Sequence, residues 1–228
     1  MSKIRFTEPN REILARRDSI INDLTRLVDP AGLITSTDEC RAYETDALTA
    51  YRKMPLAVVL PKTTEEVSAV LKYCHDTGVK VVPRGAGTSL AGGAIPSEDA
   101  VVLGLSKMNR VLAVNYDDRF IRVEAGVTNL SVTAVVAENG FFYAPDPSSQ
   151  LACTIGGNIA NNSGGAHCLK YGVTTNNLLG VRMVLIDGSI IDLGGDYLDS
   201  AGLDLLGLVV GSEGQLGIVT EATLRILK

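Results

Sequence analysis

Few of the residues that mark a metal site or a hydrolase are present in this 228-residue chain. Its four cysteines, Cys40, Cys74, Cys153 and Cys168, stand apart with no Cys-x-x-Cys pair. That excludes the usual zinc and iron–sulfur spacings and leaves reduced thiols as the expectation. Histidine occurs only at His75 and His167, with no H-E-x-x-H run, so metal hydrolysis is not expected and no metal ligand is assigned. The G-x-S-x-G pentapeptide of a serine nucleophile is missing too. Basic charge is in deficit, 21 Lys and Arg against 26 Asp and Glu, and a net charge of −5 argues against nucleic acid as a partner. Long apolar runs are lacking: the longest, Leu205 to Val210, is far short of the roughly 20 residues of a membrane span. The first residues mix charges of both signs with no apolar core of a signal peptide. A cytoplasmic location is expected, peripheral at most to the inner face of the membrane through partners.

What is present, 46% hydrophobic and 21% charged residues, suits one large globular domain or two small ones. Apolar positions at Ile13, Leu14, Ile20, Ile21, Leu24, Leu27 and Val28 predict a helix over 11–28 that stops before Pro30. We take residues 1–55 as an N-terminal helical extension and 56–228 as the main domain, with lobes at about 56–109 and 110–228. In the first lobe the run Ala57 to Leu60 precedes Thr63-Thr64-Glu65-Glu66, a capping box for a helix carrying Val67, Val70, Leu71 and Cys74. Gly78 stops that helix, and Val79 to Val82 is a strand leading into Pro83-Arg84-Gly85. In the second lobe a helix over 130–139, a Gly140 stop, a strand at Phe141 to Tyr143 and a Pro145-Asp146-Pro147 turn repeat this ending. Two hairpins are predicted, Val111–Val114 with Phe120–Val123, and Gly180–Ile186 with Ser189–Leu193 across Asp187-Gly188. The fold class is α+β: a small strand–helix–strand lobe plus a larger, mainly antiparallel sheet with helices.

Glycine, 23 residues, gathers in three loops, around Gly85, Gly87, Gly92 and Gly93; around Gly156, Gly157, Gly164 and Gly165; and around Gly211, Gly214 and Gly217. Backbone without a Cβ approaches a ligand closely, and successive N–H groups can hold an anion, with a diphosphate as the natural guest. The known phosphate motifs fail. Leu90 stands where G-x-G-x-x-G needs its third glycine, and Gly93-Ala94 where a P-loop needs Lys and Ser or Thr. Arg84 heads the first loop, as a phosphate partner or a structural ion pair; Thr88 and Ser89 add hydroxyl donors, and Gly87 is expected to turn its backbone to the diphosphate. In the second cluster Asn158, Asn161 and Asn162 lie among small residues, so they either line a neutral polar ligand or cap turns. His75 reads as a surface residue. His167 closes the cluster as either a site residue or a structural imidazole.

Together these loops resemble a known family. The segments 83–93, 143–149, 154–172 and 211–221, in that order, look like the PCMH-type FAD-binding domain of the vanillyl-alcohol oxidase family. Within it they are most similar to glycolate oxidase D subunits and FAD-linked D-lactate dehydrogenases, and Tyr43-Glu44-Thr45-Asp46 fits the same subgroup. The resemblance implies that Arg84, Gly85, Ala86, Gly87, Thr88 and Ser89, with Gly92 and Gly93, cradle the diphosphate of FAD. It implies that Pro145, Asp146, Pro147, Ser148 and Ser149, then Thr154, Gly156, Gly157, Asn158, Asn161, Asn162, Gly164, Gly165, Ala166 and His167, continue along diphosphate, ribityl chain and isoalloxazine. Ile218 and Val219 would hold the adenine half by backbone contacts, and Gly214 and Gly217 are implied as further cofactor-binding residues. Thr88 stands where some relatives carry a histidine bonded to the flavin, so non-covalent FAD is expected. The implied reaction oxidises a small 2-hydroxy acid, glycolate or D-lactate, with hydride passing to flavin and electrons onward to an iron–sulfur partner subunit or a quinone. Relatives continue into a substrate domain, expected to be absent here, so no catalytic residue is assigned. The alternative is a non-catalytic, flavin-carrying electron-transfer subunit.

Overall fold

A computed structural model describes residues 7–196 and 202–228. The chain begins with α1 (Arg11–Ala15) and α2 (Arg17–Leu24), then β1 (Leu33–Ile34), α3 (Thr37–Cys40), β2 (Ala57–Val59), α4 (Thr64–Thr77), β3 (Lys80–Arg84) and β4 (Ala100–Gly104). It continues with β5 (Val111–Asn115), β6 (Phe120–Glu124), α5 (Asn129–Val136), α6 (Ile155–Asn161), α7 (Cys168–Tyr171) and α8 (Thr174–Asn177). The last elements are β7 (Leu178–Val184), β8 (Ile190–Gly194), α9 (Leu205–Val209) and β9 (Ile218–Arg225).

The first sheet has the order β1-β2-β4-β3, with β2, β4 and β3 parallel and β1 antiparallel at the edge. Helix α4 forms where its sequence places it. Thr63 Oγ1 accepts from the Glu66 N–H at 3.2 Å, and Gly78 ends the helix at φ +73°. The Glu66 carboxylate reaches one residue further than a capping box requires and accepts from the Lys62 N–H at 2.6 Å. Strand β4 had no sequence prediction. It is the central parallel strand, buried at all its positions, so it shows a continuous apolar run instead of an alternation.

Two expectations for the N-terminal segment change. The helix predicted over 11–28 is two helices, broken at Arg16 (φ −95°, ψ 7°) and ended at Leu24. The segment also belongs to the first lobe: Ile13, Ile20, Leu24 and Val28 share one core with Val67, Val70 and Leu71 of α4, and β1 extends the sheet.

The second sheet, β5-β6-β9-β7-β8, is antiparallel throughout, and both predicted hairpins are in it. The Asp187-Gly188 turn places Gly188 at φ +87°. Val132 and Val136 of α5 and Ile155 and Ile159 of α6 pack with Ile121, Val181 and Leu224 of the sheet. Phe141–Tyr143 is not a strand; only Phe142 pairs, in one bridge with Leu227. The lobes meet along α4, where Thr64 Oγ1 donates to Thr220 Oγ1 at 3.0 Å in a buried contact and Ser68 Oγ donates to the Gly188 carbonyl at 2.5 Å. Ala125, Val184 and Ile218 of the second lobe lie in the first lobe's core. The architecture is therefore a two-lobed α+β fold with one continuous seam.

Candidate functional site

The carboxyl end of β3, the start of α6 and the start of β9 converge on that seam, at the end of a parallel strand where open sheets offer room for a ligand. The cleft between them holds about 340 Å³. Its first wall is the loop after β3. From Gly85 to Leu90, no backbone N–H donates to an acceptor among the described residues. Six successive donors without partners, in a loop that lines a cleft, are the kind of group an anion can use.

The glycines of that loop are there for different reasons. A Cβ on Gly85 would stand 2.5 Å from Thr154 Oγ1, so the loop lies directly on the start of α6. Gly87 has φ +72°, and its missing side chain makes room for the Arg84 guanidinium. A Cβ on Gly87 would therefore meet Arg84 of its own loop. Arg84 turns beneath the loop, its Nη1 donating to the Thr45 carbonyl at 2.7 Å and its guanidinium lying 5.5 Å from the centre of the Tyr43 ring. Burial draws its pKa below the usual guanidinium value, while Tyr43 and Asp46 act the other way.

The second wall is α6, capped by Thr154, whose Oγ1 accepts from the Gly157 N–H at 3.3 Å, and closed by Asn162 at φ +48°. All three amides are partnered within the chain. Asn129 Nδ2 donates to Asn158 Oδ1 at 2.9 Å and to the Pro145 carbonyl at 3.0 Å, and Asn158 Nδ2 donates to Cys153 Sγ at 3.2 Å. Asn161 Nδ2 donates to the Gly157 carbonyl at 3.0 Å, and Asn162 Oδ1 accepts from the Thr175 N–H at 3.1 Å. Asn158 and Asn161 still border the cleft; Asn162 does not.

Of the residues singled out from the sequence, the cleft gathers Arg84 to Ser89, Gly93, Ser149, Thr154, Gly156, Gly157, Asn158, Asn161, Gly214, Gly217, Ile218 and Val219. Outside its lining stand Gly92, Pro145, Asp146, Pro147, Ser148, Asn162, Gly164, Gly165, Ala166 and His167. The last group makes a joint of its own. The His167 Nδ1 lies 2.7 Å from Asp146 Oδ2, and the His167 N–H donates to Asp146 Oδ1 at 3.1 Å. A Cβ on Gly165 would collide with the Asp146 carbonyl. The joint ties the 145–148 turn to the 163–167 segment beside the cleft.

The sequence reading missed the apolar walls, Leu105, Ile159 and Val209, and the lining residues Cys153, Ser212 and Glu213. Glu213 carried a signal in its glycine-flanked position, and it adopts φ +53° there. Among the described lining residues Arg84 is the one cation and Glu213 the one carboxylate. No group of three or more metal-ligating side chains occurs among the described residues, and no described helix is long and apolar enough to cross a membrane.

Residues 55–194, which include the β3 loop and α6, match the FAD binding domain family. This chain belongs to the FAD-binding domain family. It is 49% identical over 211 residues to the glycolate oxidase subunit GlcD of Escherichia coli K12, covering 92% of this chain and 42% of that protein. It is 40% identical over 210 residues to a D-lactate dehydrogenase of Archaeoglobus fulgidus, with 91% and 46% covered. A D-2-hydroxyglutarate dehydrogenase of Xanthomonas citri is 37% identical over 210 residues, with 92% and 44% covered. The FAD-binding chain thus spans less than half the length of these curated relatives. Among solved structures, an alkyldihydroxyacetonephosphate synthase superposes with a TM-score of 0.83 at 23% identity, over 98% of this chain and 42% of that one, which shows the fold alone.

Proposed function

We propose that this chain is the flavin-binding part of a dehydrogenase that oxidises small 2-hydroxy acids to 2-oxo acids, and that the cleft holds FAD without a covalent bond. The observation that carries the reading is the run of unpaired N–H groups from Gly85 to Leu90 at the head of the cleft. It suits the two phosphates of a dinucleotide, which need many donors and little room for side chains. Apolar surface from Ile159, Val209 and Val219 is available for a ring system. A non-covalent site fits the lining, because its loop carries Thr88 and its described residues include neither histidine.

When bound, FAD supplies a two-electron acceptor next to the substrate carbon. The chain's share is to hold the phosphates with backbone dipoles, to exclude water with the apolar walls and to fix the two lobes around the cofactor. The substrate class follows the names of the relatives, which act on glycolate, D-lactate and D-2-hydroxyglutarate. GlcD is named as a subunit. By that analogy partner subunits, an iron–sulfur protein among them, or a quinone would take the electrons onward.

Protein incubated with FAD and desalted is expected to retain about one equivalent, released into the supernatant on acid precipitation. No retained flavin, or flavin that precipitates with the chain, overturns the cofactor reading. With the remaining length of its relatives supplied as a fusion, anaerobic glycolate or D-lactate is expected to bleach the flavin; in that fusion a flavin that dithionite bleaches and none of these acids does overturns the substrate class.

A further inference from the structure

The β3 loop rests on a segment that precedes the family match. Arg84 lies between them. On one side its guanidinium covers the Tyr43 ring and donates to the Thr45 carbonyl; on the other it fills the space next to Gly87. The Ala47 N–H donates to the Gly87 carbonyl at 2.9 Å, so backbone and side chain bind the same two segments. Asp46 sits between these contacts and is only 4% exposed. Its Oδ1 accepts from the Leu48 N–H at 2.9 Å, and its Oδ2 is buried with no hydrogen-bond partner. A carboxylate buried this way favours positive charge in its surroundings, and Arg84, whose guanidinium is bonded to the carbonyl of the preceding residue, supplies one without forming an ion pair.

We propose that Tyr43 to Ala47 form a clamp that shapes the Gly85–Leu90 cradle before any ligand arrives, with Arg84, held by the Thr45 carbonyl and the Tyr43 ring, as a positioning residue and Asp46 as the buried charge of the segment that holds it. The proposal rests on the FAD reading of the cleft. It resolves the two roles open to Arg84 in favour of support from below. An arginine that moved to a phosphate would strand the Thr45 carbonyl and carry a positive charge away from the buried Asp46 carboxylate. Held where it is, its planar group fills the space beside Gly87 and leaves the N–H groups of the cleft-lining loop without partners in the chain. The loop is thus ordered in advance, and the entropy of ordering it is not drawn from the binding energy of the ligand.

The test is a double-mutant cycle with Asp46→Asn and Arg84→Gln, read by FAD titration. Asp46→Asn keeps the Oδ1 acceptor for Leu48 and removes the charge. Each single change is expected to weaken FAD binding about tenfold, and the double variant to bind no worse than the weaker single one, because both remove one device. Losses that multiply to about a hundredfold place Arg84 on the ligand independently of Asp46 and overturn the proposal, as does unchanged affinity in either single variant.

A second readout needs no flavin. In the FAD-free protein the Ala47 amide, bonded to Gly87, is expected to exchange with solvent deuterium about tenfold faster in Arg84→Gln than in the parent chain. An unchanged rate overturns the clamp. Should Arg84→Gln fail to fold, Asp46→Asn carries both readouts, its exchange rate corrected for the neighbouring residue's intrinsic effect. Parent protein that takes up no FAD defeats the cofactor reading, and the Ala47 rate then decides the clamp by itself.

Discussion

At Gly87 two constraints coincide, a φ of +72° and a guanidinium in the place of a side chain. A residue with a Cβ there is strained by about 1–3 kcal/mol from backbone conformation alone. Gly87→Val is therefore expected to lower the urea midpoint by a corresponding amount and to weaken FAD binding at least tenfold; an unchanged midpoint would contradict the assigned geometry. The sequence pointed to the open backbone of Gly87 but not to what occupies the place of its side chain. The expectation was open backbone facing a phosphate, and the direction of the missing Cβ, set by Arg84 from the same loop, is a three-dimensional fact. The same holds for Asn158 and Asn162, since small polar residues in a row look alike whether they hold a ligand or each other. Cys74 shows the converse, because its place among the apolar positions of the predicted helix already pointed inward. Cys40, Cys74 and Cys153 are buried and Cys168 is exposed, and burial pushes the Cys74 thiol up to about 12. A disulfide reagent is expected to find one fast thiol, absent in Cys168→Ser, and the other three only on unfolding.

Elements were legible where their ends carried chemistry. Thr63 and Gly78 frame α4, and Asp187-Gly188 frames its hairpin. Helix α6 was missed because Gly156, Gly157 and Asn158 disfavour helix, although its Thr154 and Asn162 ends obey the capping rules. Tertiary contacts keep it helical. Asn129 spans from α5 to Asn158 and to the Pro145 carbonyl, so Asn129→Ala strands two buried acceptors and is expected to cost about 2–4 kcal/mol by denaturant unfolding. The start of the chain is tied in by Asp99, which is 1% exposed and whose Oδ2 accepts from Lys80 Nζ at 2.8 Å and from the Asn10 N–H at 2.9 Å. Burial, the largest single influence, opposes its ionisation, but the hydrogen bonds from Lys80, Ser97 and the Asn10 and Asp99 N–H groups together outweigh it and hold the pKa down to about 2, below the ordinary 3.8. A depressed carboxylate stabilises the fold above its unfolded pKa and loses that contribution as pH falls through the folded value. Asp99→Asn is thus expected to cost about 2 kcal/mol at neutral pH, a difference that shrinks between pH 4 and pH 2 (about 1.4 kcal/mol per unit). A pH-independent difference would assign its effect to packing.

For the whole molecule the seam matters most. Thr64 and Thr220 join their hydroxyls across it, and Ile218 of the second lobe is packed in the core of the first. Lobes that share a core are expected to unfold in one transition, with circular dichroism and tyrosine fluorescence coincident; two separated transitions would show that the seam does not couple them. Composition could not reveal this sharing, because the pattern of each strand states that one face is buried and not which lobe covers it.

The cradle of uncharged amides has a consequence for how its guest arrives. The chain carries a net charge of −5, and the one cation in the described lining is held by the Thr45 carbonyl and the Tyr43 ring beneath it. A dinucleotide approaching from solution is repelled at long range and attracted only at contact. Added salt should therefore quicken association by screening the repulsion while leaving dissociation almost unchanged, the opposite of a lysine-lined phosphate site.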